Sequence, residues 1–496
     1  MMPIPGVLVQ SLAERKVSPC YQDDASQTGS PIPEDIWHHI CSFLPLKDVA
    51  RAARVSHVFL RSWRCHPNLT FSKTIMGLST ESRGQGKITR DYNKKIGNIL
   101  KNHSGIGVKI LNLEFYGPYN LKTSHCLDTW LQIALTPGIE ELTLTLYPKR
   151  KQTLDKENYN FPWSLLSNGS GNSIRALNFL GCAFRPTVDL GCMRSLTSLS
   201  LCFVHITGDE LGFLLSNSIS LEILNLSCCV EIIFIKIPCM LKHLSHLTVS
   251  DCYVLQVIES KAPNISSFTF DFKDRNVDLL LGESLQVKEI EICHPCVLRD
   301  ARTMLPSSTP NLQTLTICSI DEESSTPMLP SKFLHLKYLV ITVIECAFPA
   351  HYDLFSLVSF LDASPCLETF DLDVRMILHE HDMNVEDLSQ LEGIPGHRYG
   401  NLRRVRITGF CFRKSLVMLT CHILENTPSL ECITLDTCGG TACSGDEVVS
   451  CYPRKATFVE DPKALKAIQT YIKGKVPSMA KLNVVEPCNR CRGVDV

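Results

Sequence analysis

One short phrase, apolar-x-x-apolar-x-apolar, governs most of this chain. It recurs thirteen times in order, as VKILNL, IEELTL, IRALNF, LTSLSL, LEILNL, LSHLTV, ISSFTF, VKEIEI, LQTLTI, LKYLVI, LETFDL, LRRVRI and LECITL. Successive copies, from Val108 to Leu430, start 21 to 35 residues apart. Within each copy the last two apolar residues are two apart, so they share one side of a strand. A strand with its return segment cannot bury that side alone. Neighbouring units must stack into a solenoid around one continuous core.

The middle spacings are those of leucine-rich repeats. The fold class expected is therefore α/β, with parallel strands on the concave face and helices and loops on the convex face. Several return segments read as helices. In ITGDELGFLLSNSIS, Thr207 and Asp209 suit a helix start and Leu211, Leu214 and Leu215 suit its core side; residues 354–365 and 415–429 behave similarly. Val230–Ile237 is apolar but short and broken by charges, which fits a buried strand region.

Twenty-four cysteines call for an explanation. No secretory signal is evident at the start of the sequence, so reduced thiols are expected. Three residues past the last strand apolar position, these repeats place an Asn or Cys that serves the turn. That position holds Cys182, Cys229, Cys252 and Cys438.

Between the last two apolar positions of each phrase lies a side chain that must face solvent on the concave side. Most are small and polar, from Asn112 and Thr143 to Thr434. Later copies differ: Glu289 and Glu291 make an acidic step, Tyr338 an aromatic one, and Arg403, Arg404 and Arg406 concentrate positive charge. Arg and Tyr commonly anchor interfaces. Glu289, Glu291, Tyr338, Arg404 and Arg406 are accordingly the candidate substrate-contact residues.

Ahead of the repeats stands PIPEDIWHHICSFLPLKDVARAARVS, residues 31–56. Pro33 suits a first helical position, and Glu34 and Asp35 place negative charge at the positive helix end. Ile36, Ile40, Phe43 and Leu44 follow on one face until Pro45. Leu46, Val49, Ala50 and Ala53 make a second short amphipathic helix, and Ser56 caps a third that presents Phe59 and Trp63. About forty residues cannot bury all these apolar groups alone. Some of that surface calls for a partner.

Catalytic and metal signatures find little support. The formal charge of −2 gives no basic bias toward nucleic acid, and no apolar run reaches the ~18 residues of a membrane span. Cys438, Cys443, Cys451, Cys488 and Cys491 supply a single C-x-x-C step rather than the pair a zinc site favours. HLSH (243–246) and LHEHD (378–382) lack metalloprotease spacing, and GQGKIT (84–89) has Glu81 and Ile88 where a phosphate loop needs glycine and a hydroxyl. It reads as a polar linker. No Gly-x-Ser-x-Gly elbow appears, so no active site, cofactor or metal is expected.

The leading segment resembles an F-box. Ile32-Pro33-Glu34-Asp35-Ile36, Ile40, Phe43-Leu44-Pro45-Leu46 and Val55-Ser56 match that pattern in order, with Ile32 in place of the usual leucine and Phe59 in place of the common tryptophan. With the repeats, and with an HRYGNLRRVRITGF…NTPSLECITL segment similar to FBD-type ends, the whole chain resembles the plant F-box/leucine-rich-repeat proteins.

That resemblance implies a domain order: a disordered segment 1–30, an F-box 31–72, a linker or first solenoid cap 73–107, repeats 108–394, an FBD-like end 395–475 and a tail 476–496. It implies a non-catalytic substrate receptor of a Skp–cullin–F-box ubiquitin ligase, in cytoplasm or nucleus, holding a protein substrate and binding neither nucleic acid nor membrane. Pro33, Ile36, Ile40, Leu44, Leu46, Val49, Val55 and Phe59 are the positions expected to face the Skp-family adaptor or to form the bundle core. The alternative is a non-ligase repeat scaffold or ligand-binding protein whose helices only cap the solenoid.

Overall fold

The computed structural model describes residues 33–76, 85–104, 107–116, 121–147, 158–167, 169–186, 193–272, 277–280, 286–322, 324–344, 352–375, 397–437 and 462–486. They divide into two compact units, with the boundary between Trp63 and Arg64.

The first unit is a set of three helices, α1 (Glu34–Ser42), α2 (Leu46–Ala52) and α3 (His57–Arg64). Pro33 and Pro45 are the caps of α1 and α2, each extended at ψ 149° and 138° and one residue outside the helix. A residue without an N–H is well placed there, since none of the first amides has an intrahelical acceptor. The Ser56 Oγ accepts from the Val58 amide at 3.3 Å and starts α3. Trp37 and Phe59 meet edge to face at 5.2 Å, and Arg61 reaches Glu34 at 3.3 Å, so α1 and α3 are joined by ring packing and charge.

The second unit is built on a 15-stranded sheet in which every neighbouring pair is parallel and the strands follow sequence order, apart from three that leave for another sheet. All thirteen phrases lie on it, in one common register. Leu111 pairs with Leu142, Leu142 with Leu177 and so on through Phe370, Val405 and Ile433. These residues and those two positions later, such as Leu113, Leu144 and Ile407, are buried. Alternation along each strand thus produces two continuous apolar columns on the inner side.

The sheet extends one rung beyond the repeated phrase at each end. Asn68–Phe71 pairs with the Ile110–Phe115 strand, and Lys481–Val485 pairs with Cys432–Asp436. The first lies in the stretch expected to end the F-box and the second in the expected tail. NLTF and KLNVV are too short or too polar to show the full phrase, and pairing with a neighbour supplies what their pattern lacks. Gln85–Asn102 is an 18-residue helix, so the described part of GQGKIT, from Gln85 to Thr89, opens a helix and is not a linker. Its Tyr92 hydroxyl lies 2.7 Å from Phe71 O and 2.6 Å from Glu114 O, which fastens the helix to the first strands.

The return segments are as varied as their lengths. Gly208–Ser216 is helical with a reciprocal cap: the Thr207 side chain accepts from the Glu210 amide, and the Glu210 carboxylate accepts from the Thr207 amide. Leu211, Leu214 and Leu215 are buried as expected. Helices Val358–Ala363 and Lys414–Asn426 occupy the two other segments read as helical. Where the repeats are shortest the chain returns as strands instead. Phe234–Ile237, Val257–Ser260 and Asp278–Leu280 form a separate three-stranded parallel sheet.

A left-handed residue follows several main-sheet strands: Gly181, Phe203, Cys228, Asp251 and Gly409 have φ of 77°, 51°, 53°, 51° and 72°. That bend turns the next side chain inward, and Cys182, Val204, Cys229, Cys252 and Phe410 are all buried. The Cys229 and Cys252 thiols donate to Ser227 O and Ser250 O at 3.5 Å, so these cysteines serve the turn. Cys438 lies outside the described residues. At Gly409 a Cβ would be driven into the Val374 carbonyl oxygen of the preceding rung. Gly409→Ala is therefore expected to cost about 2 kcal/mol through clash and backbone strain, read as a lowered thermal unfolding midpoint, whereas Thr434→Ala on the open face leaves the midpoint nearly unchanged.

Candidate functional site

Two surfaces stand out, one on each unit. On the helical unit, burial separates the eight expected residues. Leu46 and Val49 are buried and Phe59 is half-buried against Trp37, so these three belong to the core. Pro33, Ile36, Ile40, Leu44 and Val55 are exposed. Phe43 joins them at 75% exposure and Val55 reaches 83%. Ile36, Ile40 and Phe43 are spaced four and three apart, which aligns them along one stripe of α1. Cys41, on the other side of that helix, is buried. Phe43 was legible as part of the apolar face but not as its most exposed member, because periodicity gives a face and not which side is covered.

On the repeat unit, the five expected contact residues fall on one side of the first, third and fifth of five consecutive strands. Glu289, Thr314, Tyr338, Thr369 and Arg404 are register partners in sequence, and Glu291, Thr316, Val340, Asp371 and Arg406 form the parallel row beside them. Glu289, Glu291, Tyr338, Arg404 and Arg406 are exposed. No ion pair among the described residues involves the four charged ones. Arg403, by contrast, pairs with Glu431 at 3.4 Å. Burial pushes the Asp371 carboxyl up, and Arg406 on the next strand pulls it partly back. The earlier rungs of the same face are uncharged in this row, with side chains that bond to one another, as in Asn178 to Thr143 at 3.3 Å.

Beneath these rungs the return segments are pinned by groups that pattern reading passes over. Arg302, on helix Val297–Ser308, is only 1% exposed. Its guanidinium donates to Ser359 O at 3.1 Å, Ser359 Oγ at 2.9 Å, Ser331 Oγ at 3.1 Å and Leu329 O at 2.6 Å. One cation thereby joins the return segments of three successive repeats. Its only sequence signal is its place four residues after the buried Leu298. Glu322 is equally buried and accepts from the Leu298 amide at 2.7 Å and the Ser319 hydroxyl at 2.8 Å. Burial pushes its carboxyl up to about 7.

In the HRYGNL segment, Tyr399 donates to Asp362 at 2.8 Å and lies 3.0 Å from the His422 Nε2. The Tyr399 proton serves the carboxylate, so His422 donates to the phenol oxygen, and burial pushes His422 below its usual range. This chain of bonds ties two return helices to the segment between them. It is internal and structural.

Among the described residues no group of three or more His, Cys, Asp or Glu side chains is placed to hold a metal. The C-terminal cysteine set of Cys438, Cys443, Cys451, Cys488 and Cys491 lies outside those residues, as does LHEHD. Among the described residues no helix is long and apolar enough to cross a membrane.

Residues 99–489 match the leucine-rich-repeat domain of At1g61320/AtMIF1, and residues 30–70 match the F-box domain. An FBD-associated F-box protein of Arabidopsis thaliana, At1g61330, is 22% identical over 430 residues, covering 82% of this chain and 90% of its own length.

Two measurements test the pins. Arg302→Ala strands four acceptors in the interior, and a loss of about 3 kcal/mol or more is expected in denaturant unfolding. Glu322 holds its proton in the folded state up to about pH 7 and gives it up near pH 4.3 when unfolded. Its contribution is thus full below the unfolded value and is lost as pH rises through 7. Glu322→Gln keeps the acceptor for Leu298 and is expected to flatten the decline of the unfolding midpoint between pH 5 and 8.

Proposed function

Because the chain belongs to the At1g61320/AtMIF1 leucine-rich-repeat domain family and carries an F-box ahead of its repeats, we propose that it is a substrate receptor of a Skp–cullin–F-box ubiquitin ligase. The F-box docks on a Skp-family adaptor, and the repeat sheet holds a protein for ubiquitination in cytoplasm or nucleus. The observation that carries this reading is the set of apolar residues Ile36, Ile40, Phe43, Leu44 and Val55, exposed on a unit whose Cys41, Leu46 and Val49 are already buried. A fold of this size gains nothing by leaving such groups in water. Covering them gives on the order of 1.5–3 kcal/mol each before association costs.

The receptor contributes proximity and no catalytic group. Tethering raises the effective concentration of substrate lysines near the ubiquitin-loaded enzyme. The competing scaffold reading, with the helices as a solenoid cap, has less to support it: the repeat sheet begins on its own Asn68–Phe71 strand, backed by the Gln85–Asn102 helix.

Capture of a purified Skp-family adaptor tests the proposal. The intact chain is expected to bind, while a chain lacking residues 33–63, Ile40→Asp and Leu44→Asp each lose binding by more than about a hundredfold. The two point variants change exposed positions and keep the parent unfolding midpoint. Equal capture of all four proteins, or of none, would sink the receptor reading.

A further inference from the structure

We infer that the repeat sheet recognises an extended polypeptide segment of its cargo that carries one basic and one acidic side chain about six residues apart. This deepens the receptor reading and rests on it.

In the row that leads to Glu291 the outward residues are uncharged from Asn112 to Thr269, and in the row that leads to Glu289 the one earlier acid is Glu141, six rungs back. Charge then enters at one rung as Glu289 and Glu291, recurs three rungs later as the half-buried Asp371, and turns positive at the next rung as Arg404 and Arg406. Both members of each pair are on the same side of their strand, two residues apart, so each pair acts as a doubled pole. Strand spacing of about 4.8 Å puts the poles about 19 Å apart, a span that extended chain covers in about six residues at 3.3 Å each.

Between the poles lie Thr314 and Thr316, the exposed Tyr338 with Val340, and Thr369 with Asp371. The centre thus offers an aromatic contact and hydroxyls able to bond a peptide backbone. Charges four rungs apart do not satisfy each other, and Asp371 beside Arg406 is a single half-buried acid against two exposed arginines, so an incoming segment of matching polarity satisfies both poles.

The sign pattern also selects the class of ligand. A nucleic acid laid across these rungs would place phosphates over Glu289, Glu291 and Asp371. A compact metabolite cannot touch both poles. A polypeptide carries both signs at adjustable spacing, and complementary charge governs its register and its rate of capture.

The test is selection from a displayed library of random dodecapeptides on the full chain, immobilised without an adaptor. Wild type is expected to enrich peptides with a Lys or Arg and an Asp or Glu about six positions apart. Their affinity is expected to fall about tenfold for Glu289→Lys with Glu291→Lys, and likewise for Arg404→Glu with Arg406→Glu. Reversing the one matching charge in the peptide should restore it.

No preferred charge separation, or selected peptides that bind both variants as well as wild type, overturns the inference. Adaptor capture runs in parallel through the untouched F-box. A chain that fails there but selects bipolar peptides loses the receptor reading alone.

Discussion

The structure depends on one constraint: a strand of this chain can bury its apolar side chains only against the strands before and after it. Backbone bonds of each rung are completed by its neighbours, and so are its two apolar columns. Register is held tightly in consequence, because slipping one residue would exchange Leu, Ile and Phe for Asn, Thr and Glu along a whole strand. Fifteen strands sharing one register is the cumulative result. The outward residues inherit that alignment, which is how Glu291 and Arg406 come to stand in one register row despite 115 intervening steps of sequence.

Stability and recognition are consequently carried by different atoms of the same strands. Inward residues, left-handed turns and the buried Arg302 hold the rungs. Outward residues at the same rungs do little for the fold. The helical unit shows the same division on a smaller scale, with Val49 buried and Val55 almost wholly exposed six residues apart.

Much of this was legible in the residues. The phrase VKILNL and its copies announce a strand per repeat because apolar spacing of two is a direct image of alternation, and all five outward candidates lie where that alternation puts them. The terminal rungs were not legible, since NLTF and KLNVV become strands by pairing and not by pattern. The Gln85–Asn102 helix was hidden because GQGKIT reads as a polar linker. In the helical unit, periodicity identified the apolar face of α1 but could not say that Cys41 and Trp37, not Ile36 and Ile40, turn toward the other helices. Arg302 was missed for a different reason: a buried arginine is defined by its acceptors on Leu329, Ser331 and Ser359, which are distant in sequence.

The shared register of the outward row has a consequence for how such chains diversify. Each position in it can be exchanged without disturbing an inward column, so cargo preference is free to drift one side chain at a time while the scaffold stays the same. Gain or loss of a complete repeat does something coarser: it moves every later outward residue by one strand spacing, about 4.8 Å. Distances between recognition groups on this surface therefore change in fixed increments, and two related chains differing by one repeat would measure their cargo with rulers of different length.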